Sequence, residues 1–385
     1  MQSVIARPLL LLSLLSLSFL GCKKDEDDTN AARKAVLQNY ANIVLANYED
    51  SYDAAKILKD KIDLFVANPS AQGFADCKQA WLNARNPYGQ SEAFRFYGGP
   101  IDAQDGPEGL INAWPMDENF IDYVEGIPTA GLINNTAQYP TITQQVLADL
   151  NESISEESIF TGYHAIEFLL WGQDLSISGP GNRPYTDFVT GAGGTASNQA
   201  RRGLYLQAVA GLLLENLATV RDAWQPGSSY RKEFLENTAT DVALGRLFTS
   251  LGELSKGELA GERMFVALDT KDQENEHSCF SDNTLADIKM NFLGIKNVYL
   301  GTYTRTNGSV VSGPSLASLA ETTDKTKNDL VKATLTETEQ YINAIPGPFD
   351  QTILNNPNAV LPAITSLRNL SDRFADVGFA LGAKF

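Results

Sequence analysis

The sequence predicts an all-α protein built as two helical bundles with long ordered loops. Three observations carry that expectation. Apolar residues recur at helical spacing over long stretches, strand-like alternation is scarce, and no repeat of about 20–50 residues suggests a solenoid or propeller. At 385 residues the chain suits two domains or one large one, with enough core to fold without disulfide staples.

In chain order, residues 1–21 read as a signal peptide: Arg7 is a short basic start, and Leu9 to Leu20 form an apolar run too short to span a bilayer comfortably. Phe19-Leu20-Gly21-Cys22 resembles a bacterial lipobox, which makes Cys22 the lipidated first residue after cleavage. Residues 22–32, with Lys23-Lys24-Asp25-Glu26-Asp27-Asp28, read as a charged tether that does not pack. Lysine after Cys22, in place of aspartate, favours retention at the outer membrane, with the periplasmic and surface faces both open. The expected protein is a soluble body held in the cell envelope only by its lipid. Cys77 and Cys279 are then left as a pair outside the cytosol, either a disulfide or two buried thiols.

Val36, Tyr40, Ile43, Asn47, Ala55, Leu58, Ile62 and Phe65 make the stripe of a long first helix that ends at Asn68-Pro69. A second helix runs from Phe74 to Ala84 and stops at Asn86-Pro87. Residues 98–139 lack a sustained period, but Trp114, Phe120, Ile121 and Tyr123 need burial, so ordered loops with short helices are expected. Helix resumes over 142–150. Ser153 and Glu156 form a capping-box pair for a helix through Ile159, Ile166 and Leu170 to Gly172. Gly179-Pro180-Gly181 and Gly191-Ala192-Gly193-Gly194 bracket the least regular region, which places an N-terminal domain at 33–190 and a C-terminal bundle at 191–385. Helices follow near 198–224, 240–267, 284–300, 315–344 and 361–382.

Charge and motif content exclude several functions. With 47 acidic against 30 basic residues and a net charge of −17, the surface repels phosphate backbones, so no nucleic-acid partner is expected. Gly191 to Ala196 fits a dinucleotide fingerprint only formally, because no strand precedes it. Gly252 and Gly257 have P-loop spacing, but Glu258 replaces the lysine. There is no G-x-S-x-G elbow.

One constellation remains. The chain has two histidines. His164 stands in Gly162-Tyr163-His164-Ala165-Ile166-Glu167, and the i,i+3 spacing puts imidazole and carboxylate on one helical face, with Gly162 leaving room beside the ring. His277 stands in Glu276-His277-Ser278-Cys279-Phe280-Ser281-Asp282, where Ser281 or Asp282 could also simply cap the next helix. Trp81 to Tyr88, Glu92 to Phe96 and Trp114 to Asp117 add aromatic and charged clusters, and Arg183-Pro184 leads to Asp187. A zincin needs H-E-x-x-H or its inverse H-x-x-E-H, and here Phe168 occupies the second imidazole's place.

These elements together resemble the imelysin-like proteins, also grouped as peptidase family M75 and including iron-regulated envelope lipoproteins. The resemblance spans nearly the whole chain after the signal peptide and rests on the G-x-H-x-x-E element, the Arg-Pro…Asp element, Glu262-Arg263 and the His-Ser-Cys-Phe-Ser-Asp run. It implies a two-domain helical fold whose halves are distantly related, a site at the domain interface, and a link to bacterial iron uptake with partner proteins of that system. On that reading the ligand is iron, another divalent metal, or a small polar or chelated group, since one imidazole with several carboxylates suits harder ions. His164 and Glu167 would contact it, with Asp187 and one of Glu262 or Glu276 completing a carboxylate shell. Arg263, Arg95 and Asp282 would hold those groups, with Gly162, Trp114, His277 and Ser281 lining the site. A zinc-dependent metallopeptidase is the alternative.

Overall fold

The computed structural model describes residues 19–385, with side chains from residue 27 onward. The signal-peptide expectation for residues before 19 and the side chain of Cys22 lie outside the described residues. Helix α1 (Phe19–Ala67) includes the charged 22–32 stretch. Its described side chains there are exposed, as expected of a tether, but the backbone is helical rather than irregular. From Val36 onward the predicted stripe is buried, and it packs along α2 (Ala71–Ser91) and α4 (Gln199–Ala223). Helix α4 is long and apolar enough to cross a membrane by composition, and here it is a core helix against α1 and α3 (Gly162–Trp171).

Two helix boundaries differ from expectation. Helix α2 starts at an Ser70 cap, whose Oγ accepts from the Gly73 amide at 3.1 Å, and continues through Pro87. The side-chain amides of Gln90 and Asn47 donate to the carbonyls of Asn86 and Pro87, at 3.2 and 2.9 Å, around the residue that lacks its own N–H. The Ser153–Glu156 capping box does not form. That segment is a turn knotted by Ser158, whose Oγ accepts from the amides of Ile154 and Ser155, and α3 begins only at Gly162. As expected, α3 ends at Gly172, which has a φ of +72°.

In the second half, α5 (Thr240–Glu253) runs on through a π-helical stretch (Leu254–Val266) into Ala267–Thr270. Then come α6 (Thr284–Leu300), α7 (Leu316–Thr323), α8 (Lys325–Ala344) and α9 (Leu361–Ala380). Asp324 divides α7 from α8, its side chain capping the Lys327 amide. A small antiparallel hairpin, β1 (Thr302–Thr304) with β2 (Val310–Ser312), pairs Tyr303 with Val311. The all-α class holds. One buried apolar cluster runs from Val36 to Ala383 through both halves of the chain. Helix α6 packs on α2 and on the π-helical stretch, which brings the later half against the residues preceding α3. Cys77 and Cys279 are both buried free thiols, not a disulfide.

Candidate functional site

Gly162 sets the start of α3. Its φ is +80°, and a Cβ there would lie 2.4 Å from the Ile111 carbonyl oxygen. The glycine therefore serves the backbone: the space expected beside the imidazole is taken by the Ile111–Asn112 chain.

One turn on, His164 Nδ1 lies 2.9 Å from Glu167 Oε2. Both residues are buried, at 2% and 0% exposed. The other Glu167 oxygen accepts from the Ser281 amide at 3.0 Å and the Ser281 hydroxyl at 2.6 Å, so Ser281 holds this carboxylate instead of capping a helix. Burial raises the Glu167 carboxyl to about 8 against those hydrogen bonds, and burial with the nearby Arg85 guanidinium lowers His164 to about 3. Around neutral pH the imidazole is uncharged. His164 Nε2 is buried and has no hydrogen-bond partner.

His277 comes up against this ring edge to face, with centroids 4.8 Å apart. Its Nδ1 is 3.1 Å from Asp287 Oδ2. Asp287 also accepts from Arg85 Nε and Nη2 at 3.1 and 3.0 Å, from Ser278 Oγ at 2.5 Å and from Asn283 Nδ2 at 3.1 Å. Burial opposes ionisation of Asp287, but Arg85 and His277 outweigh it and hold the carboxyl far below its ordinary range. Surrounded by donors and ionised, Asp287 can only accept, so His277 carries its proton on Nδ1 and presents a lone pair at Nε2. The polar neighbour of that nitrogen is Asn112 Nδ2 at 3.5 Å. Asp287 and Asn291 lie one turn apart on the face of α6 that packs on α2.

Beside the imidazoles a second ion-pair set closes the wall. Glu92 accepts from Arg263 Nη2 and Arg95 Nη1, each at 2.7 Å, and Arg263 Nη1 donates to Asn291 at 2.6 Å. Burial works against the Glu92 charge, but Arg95 and Arg263 keep its carboxyl far below the usual range. Arg95 also pairs with Glu108 at 3.0 Å. A polar cavity of about 130 Å³ opens here, lined by Arg95, Glu108, Asn112, Trp114, Glu152, Glu258, Arg263 and His277. It reaches His277 and stops short of His164. Trp114 walls it, with the indole N–H donating to the Glu276 carbonyl at 3.0 Å. A larger cavity of about 470 Å³ lies off the far end of α3, among Tyr123, Trp171, Leu175 and Arg183, and carries neither histidine.

Of the residues expected from sequence, His164, Glu167, His277, Ser281, Arg263, Arg95 and Trp114 are brought together. Three carboxylates are not. Asp187 is spent in another buried network, where it accepts from Tyr123 at 2.5 Å and Thr195 at 2.8 Å and pairs with Arg183 at 3.4 Å. Glu262 is exposed, because Arg263, its neighbour on the π-helical stretch, turns inward. Glu276 is buried beside His277 in sequence, yet neither of its carboxylate oxygens bonds an imidazole. The sequence reading did not place Arg85, Glu92, Asn112 or Asp287 as site residues.

Both halves of the chain thus supply one buried polar centre. Both imidazoles are uncharged around neutral pH: His277, with its Nδ1–H on the Asp287 carboxylate, offers a lone pair at Nε2, and His164 meets a Glu167 carboxyl that keeps its proton there. Phe168, in the place a second zincin histidine would take, packs its ring 5.3 Å from Phe280. Among the described residues, no group of three or more His, Cys, Asp or Glu side chains is arranged to hold a metal ion.

Comparison with known proteins agrees with this architecture. Iron-regulated protein A of Synechococcus elongatus is 27% identical over 342 residues, 86% of this chain and 81% of its own. A crystal structure of a protein described as an iron-regulated protein A precursor, from Parabacteroides distasonis, superposes with a TM-score of 0.70 at 21% identity, covering 91% of this chain and 95% of that one. An imelysin-like protein from Psychrobacter arcticus gives 0.63 at 16% identity, covering 89% and 93%. Residues 44–373 match the imelysin family, peptidase M75, and with most of its length inside that match the chain is a member of the imelysin family.

Proposed function

We propose that this protein binds iron, as the ion or with a small chelating ligand, at the paired imidazoles of His164 and His277. One observation carries the reading: two buried rings 4.8 Å apart, each with Nδ1 against an acidic side chain, Glu167 for His164 and the ionised Asp287 for His277. The Asp287–His277 pair has the orientation of metal-binding histidines, with one nitrogen on a carboxylate and the other left as donor. His277 faces a cavity that also carries Glu108, Glu152 and Glu258, and oxygen donors beside imidazole suit iron. The protein supplies too few donors in place to enclose a bare ion, so the remaining positions would come from water or from the chelator that arrives with the metal. The iron-regulated name of the Synechococcus relative supports the same cargo.

Binding is favoured over zinc-dependent proteolysis, since Phe168 fills the second zincin position with an apolar ring and Glu167 is fixed by Ser281. The reading further places the protein in the cell envelope, lipidated at Cys22, at an iron-uptake step where a partner delivers or removes the metal. Anaerobic titration with ferrous iron and with ferric citrate, monitored by calorimetry, tests the site: wild type binds one equivalent, and the His164→Gln, His277→Gln double variant does not. In cells, Cys22→Ser is expected to shift the protein from the membrane to the soluble fraction.

A further inference from the structure

The cavity of about 470 Å³ off the end of α3 is lined by a guanidinium with one edge unused. Arg183 Nη1 makes both ion pairs of that side chain, to Asp122 at 2.7 Å and Asp187 at 3.4 Å. Its Nε is buried without a hydrogen-bond partner, and among the described residues no hydrogen bond runs from Nη2. Nε and Nη2 form the fork that takes a carboxylate through two parallel bonds. Two other buried arginines fill that fork: Arg85 turns Nε and Nη2 onto Asp287, and Arg202 turns them onto Asp122. In Arg183 the same edge lies beside Gly172, which has a φ of +72° and where a Cβ would sit 3.6 Å from Nε. The remaining walls are mostly apolar, from Tyr123, Val124, Trp171, Leu175, Pro180 and Pro184. One wall is firmly built, since a Cβ on Gly181 would meet the carbonyl oxygens of Trp171, Gly172 and Gln173 at 2.7, 2.8 and 3.0 Å. Lys78 brings a further positive charge, its ammonium resting 5.1 and 5.2 Å from the Phe74 and Trp171 rings instead of on a carboxylate. The acidic residues of the wall leave the fork empty: Asp174 accepts from the Ser176 amide at 3.0 Å with its other oxygen unbonded, and Glu125 is exposed.

We propose that this cavity binds a small organic carboxylate with an apolar or aromatic body, the carboxylate seated on Nε and Nη2 of Arg183 and the body against Trp171, Val124 and Leu175. A charged donor buried without an acceptor is costly, and a ligand carboxylate removes that cost. Apolar walls around one oriented polar group are the usual make-up of a small-molecule pocket, and the volume suits one. Asp122 and Asp187 hold the guanidinium from its other side, so the fork is fixed before the ligand arrives. This inference stands independently of iron binding at the imidazoles.

The test is ligand-observed NMR titration of the full chain, at neutral pH and low salt, with 3-phenylpropionate, its neutral amide and 2-phenylethylamine. Wild type is expected to bind the carboxylate at least about 10-fold more tightly than either of the others. Leu175 lines the cavity and is 62% exposed, so a charge placed there changes the field without disturbing the core. Leu175→Glu should weaken carboxylate binding about threefold and Leu175→Lys should strengthen it by a similar factor. Arg183→Lys keeps the charge that faces Asp122 and Asp187 but lacks the fork, and once shown to be folded by thermal unfolding it should bind at least about 10-fold more weakly. His164→Gln should bind the carboxylate as wild type does. No binding of the carboxylate, equal binding of the amide or the amine, identical affinities in the two Leu175 variants, or undiminished affinity in folded Arg183→Lys would each overturn the proposal.

Discussion

His277 Nδ1 lies 3.1 Å from Asp287 Oδ2, and this contact fixes which nitrogen of the ring faces the cavity. Because Asp287 is ionised and saturated with donors, the imidazole must donate to it, and burial together with Arg263 keeps the ring from taking a second proton.

A pH dependence follows for the metal-free protein. The folded value of His277 is depressed well below 6.5, so its contribution to stability is fully present above pH 6.5 and is lost on acidification, as the unfolded chain takes up a proton the native ring refuses. His164 behaves alike, lowered to about 3. Glu167 acts in the opposite sense: raised to about 8, it holds a native proton that the unfolded chain releases from about pH 4.5 upward, and it largely cancels His164 between 4.5 and 6.5. The wild type should therefore lose more stability between pH 6.5 and 5 than His277→Gln does, by up to about 1.4 kcal/mol per pH unit. Urea unfolding at pH 7, 6 and 5 measures this, and parallel curves would contradict the assignment.

Arg263 and Glu92 form a buried pair at 2.7 Å. Arg263→Met leaves Glu92 with Arg95 alone and should destabilise the protein by about 3–5 kcal/mol, whereas adding Glu92→Gln should recover much of that loss. Equal destabilisation by the single and double variants in denaturant titrations would show the loss to be one of packing.

Gly162→Ala should cost about 2–4 kcal/mol, since a Cβ at φ +80° meets the Ile111 carbonyl oxygen at 2.4 Å. If the glycine instead served to leave room for a guest, the substitution would lower ligand affinity with little change in the thermal midpoint.

Phe168→His recreates the H-x-x-E-H spacing on α3. The ring sits against Phe280 and the Arg183 guanidinium, 5.3 and 5.1 Å away. The variant is expected to be less stable, and to gain neither zinc binding nor cleavage of an unstructured substrate. Chelator-sensitive proteolysis by zinc-loaded Phe168→His would reverse the preference for a binding role.

Spacing was enough to place His164 with Glu167 and to read the buried stripe of α1, because both are local consequences of 3.6 residues per turn. The His277 run drew notice as a cluster, but its fold into the site was not legible. Ser281 looked like a helix cap, and only the tertiary path of the 271–283 loop takes it to Glu167. Asp187, Glu262 and Glu276 stand out in the sequence by side-chain type alone, and type says nothing about whether an arginine has already taken the charge or which face of a π-helical turn points inward. Arg85, Glu92 and Asp287 went unplaced for the same reason: a buried ion pair has the composition of a surface one. The i,i+4 spacing of Asp287 and Asn291, just after the His277 run, was the signal available. Pro87 misled because a proline stop is a local rule, and here the amides of Asn47 and Gln90 serve the carbonyls around it.

The central claim is that the two imidazoles act as one binding centre. Anaerobic calorimetric titration of wild type, His164→Gln, His277→Gln and the double variant with ferrous iron and ferric citrate tests it most directly. The account predicts one site in wild type, at least about 100-fold weaker binding in each single variant, and none in the double variant. Unchanged stoichiometry and affinity in the folded double variant would contradict it.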